Sequence, residues 1–212
     1  LDIANIIREI ALLTIPLLIA VTFHEVAHGW VADRLGDPTA RYAGRLTLNP
    51  IKHVDLIGTL VFVFTRMIGW AKPVPVNPYN LRNPRRDMML VSIAGPGANF
   101  AIAVISAFLY NILIGIRVSP EGFWGAILIP LVLMLRYCVV LNIGLGVFNL
   151  IPVPPLDGSK ILMGILPYKH AVAFSRIEPY GFIILLGLIF FGIIGYIIYP
   201  IIIVLRSFLI GG

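Results

Sequence analysis

Charge is what this 212-residue chain has least of: Asp, Glu, Lys and Arg make up 12% of it, against roughly 25% in a soluble domain. With 59% hydrophobic residues and a mean hydropathy of +0.96, that deficit excludes a soluble enzyme and indicates an integral membrane protein. Cysteine is nearly absent too. The single copy, Cys138, lies in an apolar run, where a free thiol acts as a small core residue. An internal disulfide framework and a cysteine-rich zinc knot are therefore excluded. The chain shows no internal repeat, and no cleavable signal peptide is expected, because the N-terminal apolar run carries the main chemical motif. The formal net charge of +6 does not indicate nucleic acid. The basic residues fall between apolar runs, where the positive-inside rule accounts for them.

Four of those runs are predicted to be transmembrane helices, at about 6–31, 88–116, 123–150 and 181–199, the last extending toward 210. Each supplies about 20 or more mainly apolar residues, enough to cross a bilayer. The expected fold is mainly α and polytopic, a single domain over 1–212. Residues 156–166 are too few to span and predict a short or re-entrant helix near 158–166. Tyr42, Leu46 and Leu48 alternate with Ala43, Arg45 and Thr47, and Leu60–Phe64 is a β-branched and aromatic run. Together they predict a small membrane-associated β element within 40–65, with a short interfacial helix as the alternative for 60–64. The prolines of Lys72–Pro78 forbid a helix there.

Charge sets the orientation. Nine Lys or Arg lie in 32–87 and three in 158–180, but one in 117–122. The basic segments are expected in the cytoplasm and the N-terminus outside, in the cell membrane. Arg206 leaves the C-terminus open, since it lies in a tail that this scheme sends outward.

Against that background stands His24-Glu25-Val26-Ala27-His28. Two histidines four apart on a helix differ by about 40° and rise by about 6 Å, so both can reach one metal. This HExxH pattern is a zinc hydrolase signature, with the glutamate placed to take a proton from water at the metal. Ionisable groups in a membrane span are costly and are functional candidates by default. A catalytic zinc needs a third protein ligand. The extended pattern HExxHxxGxxH does not supply it, because Val31 and Arg34 stand where glycine and histidine are required. The candidates are Asp157, Asp55, His53 and His170. Asp157 is favoured. It follows the proline-broken Asn149–Leu156, and broken backbone at membrane depth must be buried in protein or line a watery cavity. An N-cap for the helix that follows is the alternative.

HEVAH in a first span, GPGAN (Gly95–Asn99) in a second and NLIPVPPLDG (Asn149–Gly158) after a third closely resemble the site-2 protease family of intramembrane zinc metalloproteases. Gly44–Pro50 and Lys72–Pro78 resemble its compact prokaryotic branch, without a PDZ or CBS domain. The resemblance covers about Ile15 to Leu166. It implies His24, His28 and Asp157 as ligands of one catalytic Zn2+ and Glu25 as general base. Asn149 and Asn99 are candidate hydrogen-bond donors to substrate, and the resemblance favours Asn149; for Asn99, polar helix packing is the alternative. His53, Asp55 and His170 are expected at the interface, exposed or capping.

The expected partners are transmembrane segments of protein substrates and the lipid bilayer. Two other readings stand beside the protease. One is an ion-path or transporter protein using the same His and Glu; the scarcity of polar residues in the fourth span counts against it. The other is a relative that binds membrane proteins without cutting them.

Overall fold

The structure is a computed structural model that describes residues 3–58 and 71–211. It is built on three long helices, α1 (Ile3–Arg34), α3 (Pro84–Leu113) and α4 (Phe123–Asn149), each packed against the other two. Between α1 and α3 lie a one-turn helix, α2 (Thr39–Tyr42), and 3₁₀ turns at Pro50–Lys52 and Pro78–Asn80. After α4 come α5 (Asp157–Ile165), α6 (Tyr168–Ser175), α7 (Gly181–Phe190) and α8 (Ile193–Ile210).

The distribution of side chains is that of a protein dissolved in lipid. Small or polar residues fill the helix interfaces: Ala20, Ser92, Asn99, Ala103, Ser106 and Asn142 are buried. Large apolar residues such as Ile10, Ile15, Ile105 and Phe108 face outward. Apolar tails compete equally for large side chains, so helices associate through close packing of small residues and through hydrogen bonds. α3 begins where its sequence dictates. The Asn83 side chain accepts from Arg86 N–H, Pro84 takes the first helical position, and the Asp87 carboxylate accepts the Asn83 N–H at 2.8 Å.

Five helical stretches among the described residues are long and apolar enough to cross a membrane: Ile10–Arg34, Pro84–Leu113, Phe123–Asn149, Tyr168–Phe190 and Ile193–Ile210. The first three match the predicted spans. The predicted fourth, at 181–199, straddles a break: Gly192 has φ 73°, a left-handed conformation that ends α7 and lets α8 start afresh. Contacts then order the two. Leu185 and Ile194 pack with Ile151 and Leu156, while Leu209 O accepts from Asn111 Nδ2 at 2.9 Å, near the far end of α3. Thus α8 runs the length of the bundle parallel to α3, and α7 stays at the end that carries Asp157. The glycines at 187, 192 and 195 have open space around them, so they do not serve close helix packing.

The predicted β element is not found. No strand occurs among the described residues; Val54 and Ala71 form an isolated antiparallel bridge, and Leu60–Phe64 lies outside the described residues. The alternation at 42–48 does not sort faces. Tyr42 and Leu48 are exposed and Arg45 is buried, because its guanidinium turns inward to donate to Lys72 O at 2.7 Å. The short helix predicted near 158–166 is α5. Residues 72–77 contain no helix, as their prolines require.

This path of α8 predicts that reporters placed after residue 211 and in the 117–122 loop lie on one side of the membrane, and one placed near 170 on the other. Accessibility labelling of single cysteines in intact cells checks it; labelling of the 170 and C-terminal positions from one side would contradict it.

Candidate metal centre

The two histidines of HEVAH occupy successive turns of α1, where the helix carries no polar neighbour but Glu25 and Thr22. Their rings face α3 at Gly95. A Cβ there would fall 2.6 Å from His24 Cε1 and closer still to His28, so glycine is what lets the imidazoles lie against the α3 backbone. The nitrogen atoms on the far side of each ring are held by acceptors: His24 Nδ1 by Asn99 Oδ1 and His28 Nδ1 by Val91 O, both at 2.7 Å. Each Nδ1 therefore carries the proton, and each Nε2 presents a lone pair.

These lone pairs converge. The two Nε2 atoms are 3.0 Å apart. Asp157 Oδ2, buried and without a hydrogen bond, lies 3.2 Å from both. Asp157 heads α5, just after the chain has left α4 through Pro152, Pro154 and Pro155, and its carboxylate meets the imidazoles rather than capping the helix. Three acceptors at such separations repel unless a cation or protons lie among them. Donors on a tetrahedral zinc, about 2.0–2.1 Å from the ion, lie roughly 3.3 Å from one another, so the trio fits such an ion closely. Protons on the rings are the other way to satisfy it. In that state burial pushes the Asp157 carboxyl up, but hydrogen bonds and positive charge from His24 and His28 outweigh it and hold the carboxyl below its usual range. Among the described residues, this is the one group of three or more His, Cys, Asp or Glu able to hold a metal.

A cavity of about 290 Å³ opens on the trio, lined also by Glu25, Val74, Ser92, Asn149 and Lys160. Glu25 Oε2 accepts the backbone N–H of Val74 at 2.8 Å. Asn149, on the last turn of α4, donates to Leu145 O at 3.0 Å. The 72–78 segment roofs the cavity and is pinned along its length. Lys72 N–H donates to His53 O at 2.9 Å, and Arg45 holds Lys72 O. The buried Asp37 carboxylate accepts from Asn77 N–H at 2.7 Å, from Asn80 Nδ2 at 2.8 Å and from the Thr39 hydroxyl. Burial pushes the Asp37 carboxyl up, but these hydrogen bonds outweigh it and keep it below its ordinary range, ionised at neutral pH.

The structure brings together His24, His28, Asp157, Glu25 and Asn149, and leaves the other candidates outside. His53 is buried rather than exposed, its Nε2 donating to Thr47 O at 2.8 Å. Asp55 accepts the Gly58 N–H at 2.7 Å in a capping contact, and His170 is exposed on α6. Asn99 does not face the cavity. It is fully buried behind His24. Sequence reasoning missed Val74 and Asn142: Val74 acts through its main-chain N–H, which no side-chain pattern reveals, and the only signal for Asn142 is an amide in mid-span.

Comparison with known proteins fits this geometry. A model described as Peptidase family M50 matches residues 12–134 and 125–192. A Bacillus subtilis protein named as a zinc metalloprotease, YwhC, is 39% identical over 188 residues, covering 89% of this chain and 84% of its own length. The Rip2 zinc metalloprotease of Mycolicibacterium smegmatis is 27% identical over 81% of this chain, which spans 64% of that protein. Zinc metalloprotease MJ0392 of Methanocaldococcus jannaschii is 27% identical over 76% of this chain, which spans 36% of it. No solved structure matches.

The contact at Gly95 yields a direct test. Gly95→Ala should push both imidazoles from their positions and weaken zinc binding by about tenfold or more, the scale set by loss of ligand orientation. Chelator competition on the purified protein measures it, and unchanged affinity would remove Gly95 from the account.

Proposed function

The chain belongs to peptidase family M50, the family of the site-2 proteases, and from that premise we propose that it is an intramembrane zinc endopeptidase acting in or near transmembrane segments of other membrane proteins. The observation that carries the reading is the meeting of His24 Nε2, His28 Nε2 and Asp157 Oδ2 inside a bundle whose outer surface is apolar. The whole of 1–212 serves as one protease domain. Its basic segments, 32–87 and 158–180, support a cytoplasmic position for the end of the bundle that carries the site, with the N-terminus outside. α8 then crosses outward.

His24, His28 and Asp157 would hold one zinc ion. Bound there, zinc supplies Lewis acidity, polarising a carbonyl and acidifying water. The rest falls to the chain. Val74 N–H holds one carboxylate oxygen of Glu25, which fixes the plane of the carboxylate at the cavity. Glu25 accepts a proton from the attacking water as its oxygen bonds to the carbonyl carbon. It returns that proton to the amine nitrogen as the C–N bond breaks. Asn149 uses one amide hydrogen on Leu145 O, and the other remains for the substrate carbonyl oxygen. No side-chain ester forms, so serine and cysteine traps should have no effect.

Substrate must reach the cavity unwound, since a helical peptide bond is hydrogen-bonded and shielded. The basic residues of 32–58 and 71–83 support this end of the bundle as the one from which water reaches the site.

Glu25→Gln keeps the ring positions and removes the base. It should retain zinc at one ion per chain and lose at least 100-fold in cleavage of single-span proteins in liposomes, the lower range for loss of an acid–base group. Equal cleavage by variant and wild type would sink the mechanism. Absence of cleavage by a zinc-loaded wild type across a broad panel of single-span proteins would favour the non-cleaving relative instead.

A further inference from the structure

We propose that Asn99, backed by Asn142, is a positioning residue for the metal centre: it fixes the His24 ring in the tautomer that leaves Nε2 free for a cation. The inference deepens the zinc reading and rests on it.

Two backbone carbonyls, Cys138 O and Ala20 O, can only accept, and they fix the direction of every hydrogen bond in the relay. Cys138 O lies 2.8 Å from Asn142 Nδ2, so the Asn142 amide turns its nitrogen that way and its Oδ1 toward α3. Asn99 Nδ2 then donates one hydrogen to Asn142 Oδ1 at 2.9 Å and the other to Ala20 O at 3.0 Å. Both hydrogens are placed, and Oδ1 is left facing His24 Nδ1. A flipped Asn99 would set an amide N–H₂ against His24 and its oxygen against two acceptors. The orientation is therefore determined, and with it the proton on His24 Nδ1. Asn99 and Asn142 are both 0% exposed, so no solvent molecule replaces either amide. The relay joins α4 to α3 and α3 to α1. It grips α1 twice, at the His24 ring and at Ala20 one turn earlier.

The two imidazoles are not equivalent in this respect. His28 Nδ1 is held by Val91 O, a main-chain atom that no substitution removes. His24 depends on a side chain. Loss of Asn99 should therefore release one ring and spare the other, which gives an internal control.

The test uses the full chain in detergent micelles, with zinc itself as the probe. Zinc affinity is measured by chelator competition for wild type, Asn99→Leu, Asn99→Asp and Asn142→Leu. In parallel, ¹⁵N spectra of the metal-free proteins, labelled at histidine, report each ring's tautomer. Asn99→Leu should weaken zinc binding by about 10- to 100-fold, the range for loss of a ligand's outer hydrogen bond. His24 should lose its Nδ1–H form while His28 keeps it. Asn99→Asp retains an acceptor at His24 Nδ1 but sets its second oxygen against Asn142 Oδ1 and Ala20 O, so it should keep the Nδ1–H form of His24 while recovering only part of the affinity. Asn142→Leu should show a smaller loss of the same kind. Wild-type affinity in Asn99→Leu, with His24 still protonated at Nδ1, would overturn the proposal. So would loss of the His24 Nδ1–H form in Asn99→Asp to the same extent as in Asn99→Leu, which would mark a structural role only. A wild type that binds no zinc would overturn the metal reading instead.

Discussion

Three lone pairs meet within 3.2 Å inside a bundle whose outer surface is apolar, and the remainder of the structure follows from that repulsion. A cation relieves it, and the chain is organised to hold the three atoms in place until one arrives. Each ring is held from behind by an acceptor, so its proton points away from the site. The carboxylate is delivered by a different part of the chain, after a proline-broken exit from α4. Gly95 removes the one side chain that would stand between the rings and α3.

The bilayer makes this arrangement possible at a cost. Buried charge and unpaired amides are expensive away from water, so Glu25, Asn99, Asn142 and Asn149 are each paired with another polar group or with the main chain. Large apolar residues face lipid and give no preference for one helix packing over another. Small residues and the Asn142–Asn99–His24 contacts therefore decide the register of α1, α3 and α4. On the aqueous side the 72–78 segment acts as a fixed roof, tied to Glu25, Asp37, Arg45 and His53. The same segment holds the Glu25 carboxylate and lines the cavity.

Much of this was legible in the sequence because membrane solvent leaves a strong mark on composition. Spans, HEVAH and the distant Asp157 are visible as apolar length, motif spacing and a carboxylate at a helix break. The C-terminal run was misread as one helix from 181, since hydropathy registers length and is blind to a left-handed Gly192. The alternation at 42–48 suggested a strand because the pattern cannot show that Arg45 buries its guanidinium on a carbonyl. Asn99 was legible only as a buried amide, whose two uses, packing or substrate contact, missed the third. Its true partner depends on the rotation of α3 against α1, which no local pattern encodes.

The central claim concerns what the three atoms bind. X-ray absorption at the zinc edge of the purified, zinc-loaded chain reads the ligand set directly. The account predicts two imidazole nitrogens and oxygen donors alone, at about 2.0–2.2 Å. A sulfur neighbour at about 2.3 Å, or a single imidazole, would contradict it.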